Sequence, residues 1–428
     1  MAKTLAKNSL YTLISNVALA ASNWLVLVLI AKSFETAQLG GFVLALSLFS
    51  PAFLLASFKI RTLLIVDHEW RFKPEHYACA RIFANLIAVA VITFLAQAFY
   101  PSLSWELLAL VAIYKLSDAW AEFCHSYMRR HQHFEIISLS TSLRAFLTIL
   151  GLIAAILMDA SFHLIIAVWT CAAVAFCIID SILFFKYWDE PDLERFSFMR
   201  VVTLASLSNA LKIYKTHLTI AIALLIGALF VHMPNYALAH YYSPSQAGIF
   251  ATISYFLIAG GILINSLSQA ATPQLVANFK NKNRQQFNGI VLKLCGVGLF
   301  LGCIGIAIAF ILGEWILRLF YNQEIASHST VLTWVMMAAG IRYLYIFLGT
   351  ALAALQEFKV QTRIASLGFI VLFIGLFISV PESGMIGAAQ AMAVAALAEC
   401  IAYLIVYRHQ VISAFERDTS GPNEKEVT

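Results

Sequence analysis

Apolar residues run through this chain in long blocks, and the charged residues gather in the short gaps between them. A helix rising about 1.5 Å per residue needs about 20 apolar residues to cross about 30 Å of hydrocarbon. Twelve blocks reach that length: 8–31, 40–66, 77–99, 106–128, 136–158, 162–186, 209–236, 247–273, 288–312, 328–352, 361–380 and 385–407. The longest neutral stretch, Thr216 to Phe279, holds no Asp, Glu, Lys or Arg and is too long for one crossing. Ser243-Pro244-Ser245-Gln246 divides it into two helices, because proline and its polar neighbours favour a turn.

Composition removes the soluble alternatives. Of 428 residues, 61% are hydrophobic and 12% charged, where a soluble domain carries about 25% charged residues. Lipid must be the solvent, which excludes disorder, a coiled coil and a secreted disulfide scaffold. The seven cysteines are scattered through apolar stretches without a CxxC pair and read as small packing residues. With the N-terminus in the cytoplasm, fifteen Lys and Arg fall on the inner side: Lys3, Lys7, Arg71, Lys73, Arg129, Arg130, Arg195, Arg200, Lys280, Lys282, Arg284, Lys359, Arg408, Arg417 and Lys425. Only Lys32 and Arg318 fall outside, so both termini are expected in the cytoplasm. Lys3, Lys7 and Ala18-Leu19-Ala20 have the look of a cleaved signal peptide, but the apolar run continues to Ala31, long enough to span.

The sequence also repeats. Ala31-Lys-Ser-Phe34-Glu-Thr-Ala-Gln38-Leu-Gly40-Gly-Phe42 matches Ala239-His-Tyr-Tyr242-Ser-Pro-Ser-Gln246-Ala-Gly248-Ile-Phe250 at an offset of 208. Gln132, Phe134, Ser142, Leu143, Gly151 and Leu152 match Gln356, Phe358, Ser366, Leu367, Gly375 and Leu376 at an offset of 224. Six blocks separate the copies, so both halves share one orientation, as in transporters that hold substrate between two rocking halves. The expected fold is an all-α integral membrane protein, twelve transmembrane helices in two parallel six-helix halves around a central cavity. The halves are 1–186 and 209–407, with a cytoplasmic linker at 187–208 and a tail at 408–428. Pro51 in the second block and Gly260-Gly261 in the eighth mark either bends or close helix packing.

Charges inside the blocks need a reason, since each costs about 2.5–3.5 kcal/mol at mid-membrane. Lys59, Arg61, Arg81, Lys186, Lys212, Lys215, Lys293 and Arg363 lie near inner ends, where they can snorkel to the interface. Lys115, Arg144 and Arg342 sit too deep for that. Lys115, Asp118 and Glu122 share one helix face at i, i+3 and i+7. Two readings stay open. One is a self-neutralised network, Lys115 with Asp118 and Arg144 with Glu122. The other is a cationic cavity for an anionic headgroup, a diphosphate above all. On the second reading Lys115, Arg144, Arg342, Arg61, Lys212 and Lys215 bind substrate. Asp118 and Glu122 are the first candidates for ion coupling, ahead of Asp180 and Glu399, because a desolvated carboxylate takes up protons.

Other features point to structure. Trp70, Trp105 and Trp315 suit the interfacial belts; Tyr236, Tyr255, Tyr343 and Tyr345 suit either sugar stacking or helix packing. Cys124, His125, His131 and His133 match no standard metal spacing. Asp189-Glu190-Pro191-Asp192 reads as a solvated loop. No GxxxxGK[ST], GxSxG or HExxH occurs, and the short outer loops speak against a membrane glycosyltransferase or polymerase. An enzyme is not expected, nor a cofactor, a metal or a nucleic-acid partner.

Met233-Pro234-Asn235-Tyr236, the turn Ser243 to Phe250 and the run Asn265 to Pro273 give Pro-x-Tyr, a tight turn, Gly-x-Phe and Gln-Ala-Ala-x-Pro. With Gly313 to Tyr321 and the region Lys115 to Arg144, this pattern resembles the Wzx-type polysaccharide flippases. Those belong to the multidrug/oligosaccharidyl-lipid/polysaccharide exporter superfamily. The resemblance implies a flippase that moves an undecaprenyl-diphosphate-linked oligosaccharide across a bacterial inner membrane by alternating access. It implies a product such as O-antigen, lipopolysaccharide or capsule, and a proton or sodium gradient as coupling source. It implies membrane lipids, a polysaccharide polymerase and a chain-length regulator as partners. Drug/cation antiporters of the same superfamily are the main alternative; they often carry an acid in helix 1 or in the second half's cavity. Here the first block has Asn16 and Asn23, and the seventh and eighth blocks have no acid. Peptidoglycan-precursor flippases typically have fourteen helices.

Overall fold

The computed structural model describes residues 2–67, 70–188, 195–355 and 357–417. Asp189-Glu190-Pro191-Asp192 and Lys425 lie outside the described residues, as do parts of the expected linker and tail. Every regular element among the described residues is helical. Packing divides the chain into two compact units, Met1–His232 and Met233–Thr428.

The first unit holds α1 (Ala2–Ser33), α2 (Thr36–Ala56), α3 (Ile60–Val66), α4 (Pro74–Phe99), α5 (Trp105–Arg130), α6 (Phe134–Leu157), α7 (Phe162–Lys186), the short α8 (Phe198–Val201) and most of α9 (Leu204–Tyr241). The second holds the end of α9, then α10 (Pro244–Lys280), α11 (Arg284–Phe320), the short α12 (Gln323–Ala326), α13 (Ser329–Ala354) and α14 (Phe358–Arg417). Local chemistry sets the starts. Pro74 and Pro244 occupy first helical turns, where a missing N–H costs nothing. The Ser104, Ser161 and Ser243 hydroxyls accept from the amides of Leu107, Leu164 and Gln246.

Among the described residues nine helices are long and apolar enough to cross a membrane, or ten when the two arms of α9, bent by 46°, count as one crossing. This is a multi-pass membrane protein. Several helices outrun their apolar blocks. Helix α9 continues through Pro234 to Tyr241 and α10 through Pro273 to Lys280, where the sequence placed helix ends near those prolines. Helix α2 continues through Pro51, and the second block is interrupted later, at Phe58 and Lys59, both at positive φ.

Helix α14 is two helices. Gly384 (φ 54°, ψ −128°) takes a conformation that suits only glycine. Beyond it the chain doubles back. A Cβ on Gly375 would stand 3.1 Å from the Ala391 Cβ, one on Gly368 would collide with Glu399, and Ser379 Oγ donates to the Gly387 carbonyl at 2.9 Å. The pairs 368/399, 375/391 and 379/387 share a midpoint near 383, so the arms form an antiparallel hairpin.

The helix ends also reproduce the sequence offsets. Helix α1 ends at Ser33 and α9 at Tyr241; α2 begins at Thr36 and α10 at Pro244, each pair 208 apart. Helix α5 ends at Arg130 and α13 at Ala354; α6 begins at Phe134 and α14 at Phe358, each pair 224 apart. Helix termini ordinarily scatter by one or two residues. Agreement at all four supports the internal repeat.

Within the first unit α1 packs on α6, α5 and α6 on α7, and α2 on α4 and α5. An aromatic core of Tyr77, Phe123, Tyr127 and Phe184 ties together the start of α4 and the ends of α5 and α7. Within the second, α13 lies between α10, α11 and α14. Its seam with α11 is built on glycine: a Cβ on Gly302 would stand 2.7 Å from Gly340 Cα, and one on Gly298 2.9 Å from the Tyr343 carbonyl.

Candidate functional site

Helix α5 is the long helix whose composition does not fit lipid. It is absent from the nine apolar spans, and the cause is a stripe of ionisable side chains: Lys115, Asp118, Glu122 and Arg129. Position 129 lies fourteen residues, about four turns, beyond 115, so all four share one face. The stripe runs from mid-helix to the C-terminal end of α5 over about 21 Å at about 1.5 Å per residue.

Neighbouring helices of the first unit answer it. Arg144 of α6 donates from Nη1 to Asp118 Oδ1 at 2.9 Å, and its guanidinium lies over the Tyr114 ring at 5.4 Å. Tyr114 in turn stacks on Trp169 of α7 with centroids 3.5 Å apart. That contact fixes the ring on which the arginine rests. Lys115 Nζ donates to Ser50 Oγ of α2 at 2.9 Å. Arg81 of α4 is paired with Glu122, and its Nε donates to the Ala119 carbonyl at 2.8 Å. Arg61 of α3 reaches Glu122 Oε1 at 3.8 Å. Asp180 of α7 accepts from Ser140 at 2.6 Å and lies 3.0 Å from His125.

These partners revise three expectations. The pairing is Arg144 with Asp118, not with Glu122, and Lys115 is hydrogen-bonded to a serine. Arg81 does not snorkel: its side chain is 4% exposed and salt-bridged. Its helix turns the guanidinium inward, where Nη2 pairs with Glu122 and Nε donates to the Ala119 carbonyl. Trp70 belongs less to a belt than to the α3–α4 turn, where the Arg130 guanidinium lies 3.9 Å above its ring.

The remaining candidates fall elsewhere. Lys212 and Lys215 are exposed on α9, Lys212 donating to Asn209 Oδ1 at 3.1 Å. Arg342 belongs to the second unit, within electrostatic reach of buried Glu399, Tyr345 and Tyr403. Tyr345 stacks on Tyr403 with centroids 5.3 Å apart, a packing role. Tyr343 fills the space over Gly260, so that glycine permits close packing, whereas Gly261 faces open space. His131 and His133 lie against the Tyr127 and Tyr187 rings. Among the described residues no group of three His, Cys, Asp or Glu side chains gathers as a metal site.

Charge does not balance along the stripe. Lys115, Arg144, Arg81, Arg61 and Arg129 face Asp118, Glu122 and the Asp180 carboxylate already engaged by Ser140 and His125. Five cations against three carboxylates leave an excess that suits a polyvalent anion.

No family model matches the chain. A capsular polysaccharide biosynthesis protein, CapF, of Staphylococcus aureus is 23% identical over 408 residues, covering 94% of this chain and 99% of the relative. Among solved structures, the lipid II flippase MurJ in an inward closed conformation superposes with a TM-score of 0.71 at 14% identity, covering 97% of this chain and 91% of that one. An inward-facing MATE multidrug transporter gives 0.63 at 12%, covering 97% and 96%. Those neighbours are transporters and flippases, not enzymes. The resemblance read from the sequence holds: the chain has the fold of the multidrug/oligosaccharidyl-lipid/polysaccharide superfamily transporters and is similar along nearly its whole length to a capsular polysaccharide biosynthesis protein.

Proposed function

We propose that this protein is a flippase for an undecaprenyl-diphosphate-linked oligosaccharide, moved from the inner to the outer leaflet by alternating access for surface polysaccharide synthesis. The observation that carries this is the cation-rich stripe on α5. A buried charge without a partner is costly, so an excess of guanidinium and ammonium groups calls for an anion that arrives from outside. The capsular polysaccharide relative and the lipid II flippase neighbour support the same substrate class. Twelve crossings follow when α5, the bent α9 and both arms of α14 each count, in a bacterial inner membrane with cytoplasmic termini. Lys115 and Arg144 hold the diphosphate, with Arg61, Lys212 and Lys215 nearer the inner side, and Arg342 is the second unit's own candidate. Whether the glycan becomes O-antigen or capsule is left to the enzymes that supply it, and a polymerase and chain-length regulator would receive it.

The MATE neighbours favour a second reading, a cation-coupled drug antiporter. The charge of the stripe argues against it, since five cations face three carboxylates and the net field repels a cationic drug. The test is reconstitution in bacterial phospholipid vesicles with a fluorophore-labelled undecaprenyl-diphosphate disaccharide and a quencher outside. Accelerated flipping by the parent, lost in Lys115→Ala, supports the flippase. Uptake of a cationic dye with no effect on the labelled lipid transfers the assignment to the antiporter.

Asp118 and Glu122 remain the carboxylates placed to exchange a proton or sodium ion. Asp118→Asn is expected to flatten the dependence of flipping on an imposed proton gradient. The same vesicles, assayed with and without the gradient, check it; an unaltered gradient response removes Asp118 from the coupling path.

A further inference from the structure

At the inner end of the α5 stripe three arginines meet one carboxylate. Glu122 is paired with Arg81 and lies 3.8 Å from Arg61, and Arg129 is within electrostatic reach of both Arg61 and Glu122. Two guanidinium nitrogens there, Nη1 of Arg81 and Nη1 of Arg129, are buried without a hydrogen-bond partner. An unpaired donor on a buried cation is unfavourable. The opening is on the other side: the side chains of Arg61 and Glu122 are 45% and 39% exposed. The cluster is thus a floor of buried, under-bonded guanidinium with an accessible carboxylate and an accessible arginine at its mouth.

The backbone holds Arg61 in place at a cost. Phe58 and Lys59, between α2 and α3, have φ of 42° and 55°, each unfavourable by about 1–2 kcal/mol for a non-glycine residue. Strain of this kind persists where the surroundings over-determine it, and here they do. Arg130 donates to the carbonyls of Leu64 and Asp67 at 3.1 and 2.6 Å, and the Asp67 carboxylate accepts from the amides of Arg71 and Phe72 and from the Tyr77 hydroxyl. Helix α3 is therefore pinned at its far end in the orientation that turns Arg61 toward Glu122.

We infer that Arg61, Arg81 and Arg129 form a loading site for a diphosphate headgroup at the inner end of the first unit, with Glu122 as the built-in counter-ion that the headgroup displaces. Glu122 occupies the place of one anionic group and keeps the arginines in register while the site is empty. A diphosphate offers more acceptor oxygens than a carboxylate and satisfies the two idle nitrogens as well as those Glu122 gives up. The site is separate from the Lys115/Arg144 pair higher on the stripe, and its role as an entry point rests on the flippase reading, whereas its anion affinity does not.

The full chain in lipid nanodiscs, titrated with farnesyl diphosphate by calorimetry, tests this. Glu122→Gln removes the competing charge and should tighten binding about tenfold, while Arg61→Gln and Arg129→Gln should each weaken it about tenfold, the worth of one charge-assisted hydrogen bond. Arg318→Gln, in an exposed outer ion pair with Glu314, serves as control and should bind like the parent. Affinity unchanged or weakened in Glu122→Gln overturns the displacement. Affinity unchanged in both Arg61→Gln and Arg129→Gln overturns the site, and exposed Arg61 keeps that arm independent of folding. Inorganic diphosphate binding as tightly as farnesyl diphosphate overturns the loading role and assigns the site to a free anion. A parent that flips labelled lipid normally while these affinities fail to move loses only this inference; a parent that binds as described but flips nothing loses the flippase reading instead.

Discussion

Replacing Arg144 with glutamine is expected to reduce lipid flipping at least about 100-fold, about 2.7 kcal/mol of barrier, with the variant still recovered from the membrane. The difficulty is that Arg144 is bonded to Asp118, so a loss could report a broken ion pair. Removing one member of a buried pair leaves the other uncompensated, at about 3–5 kcal/mol, whereas removing both is often nearly neutral. The double variant Arg144→Gln with Asp118→Asn, assayed without an imposed gradient and beside Asp118→Asn alone, separates the two roles. Should Arg144 act only as the partner of Asp118, the double variant regains both thermal stability and flipping. Should Arg144 hold the substrate, stability returns and flipping does not. The pair is suited to this test because its members are unequally buried, the side chain of Arg144 10% exposed and that of Asp118 44%. The stranded charge in the single variant is therefore the less tightly enclosed one, which limits the damage to folding. Recovery of flipping in the double variant would remove Arg144 from the substrate path.

How much of this could be read before the structure depended on the kind of information. Helix positions were legible because a hydrocarbon solvent demands length and apolarity from each segment, and Ser243 to Gln246 announces its own turn. The repeat was legible because two offsets, 208 and 224, survive in scattered residues, and the helix ends at Ser33, Thr36, Arg130 and Phe134 have counterparts at those offsets. The stripe on α5 was legible as a face, since i, i+3 and i+7 spacing fixes direction on a helix. Its partners were not. Spacing within α5 carries no information about which neighbour presents a cation at each level, so depth alone sends Arg81 to the interface and leaves the carboxylate that Arg144 meets undetermined. Arg81 has a signal after the fact: seven residues into α4, it follows buried Tyr77 and Cys79 rather than a run of polar residues. The break at Phe58-Lys59 had no signal at all, because neither residue favours positive φ and tertiary contacts through Arg130 and Asp67 impose it.

Gly302→Leu is expected to abolish a folded second unit. Helices in lipid gain nothing from hiding apolar surface and must associate by close contact, which is why small residues mark their seams. On α11, Gly298 and Gly302 stand four apart, and both lie where α13 approaches backbone to backbone. A Cβ on Gly302 would come within 2.7 Å of Gly340 Cα, with no flexible side chain in the way that could yield. Overpacking with movable neighbours costs about 1–3 kcal/mol; here a helix axis must shift, and with it the contacts of α13 to α10 and α14. Gly296, on the same helix, has nothing within 4 Å of an added Cβ. Gly296→Ala should therefore be neutral or stabilising by about 0.5–1 kcal/mol, the helix-propensity gain. The measurement is the thermal midpoint of detergent-purified protein followed by monodispersity. The expected order is Gly296→Ala at or above the parent, Gly302→Ala well below it, and Gly302→Leu not recovered as a monodisperse species. A Gly302→Leu protein that melts with the parent would mean that α11 and α13 do not meet along this seam, and the packing of the second unit around α13 would have to be redrawn.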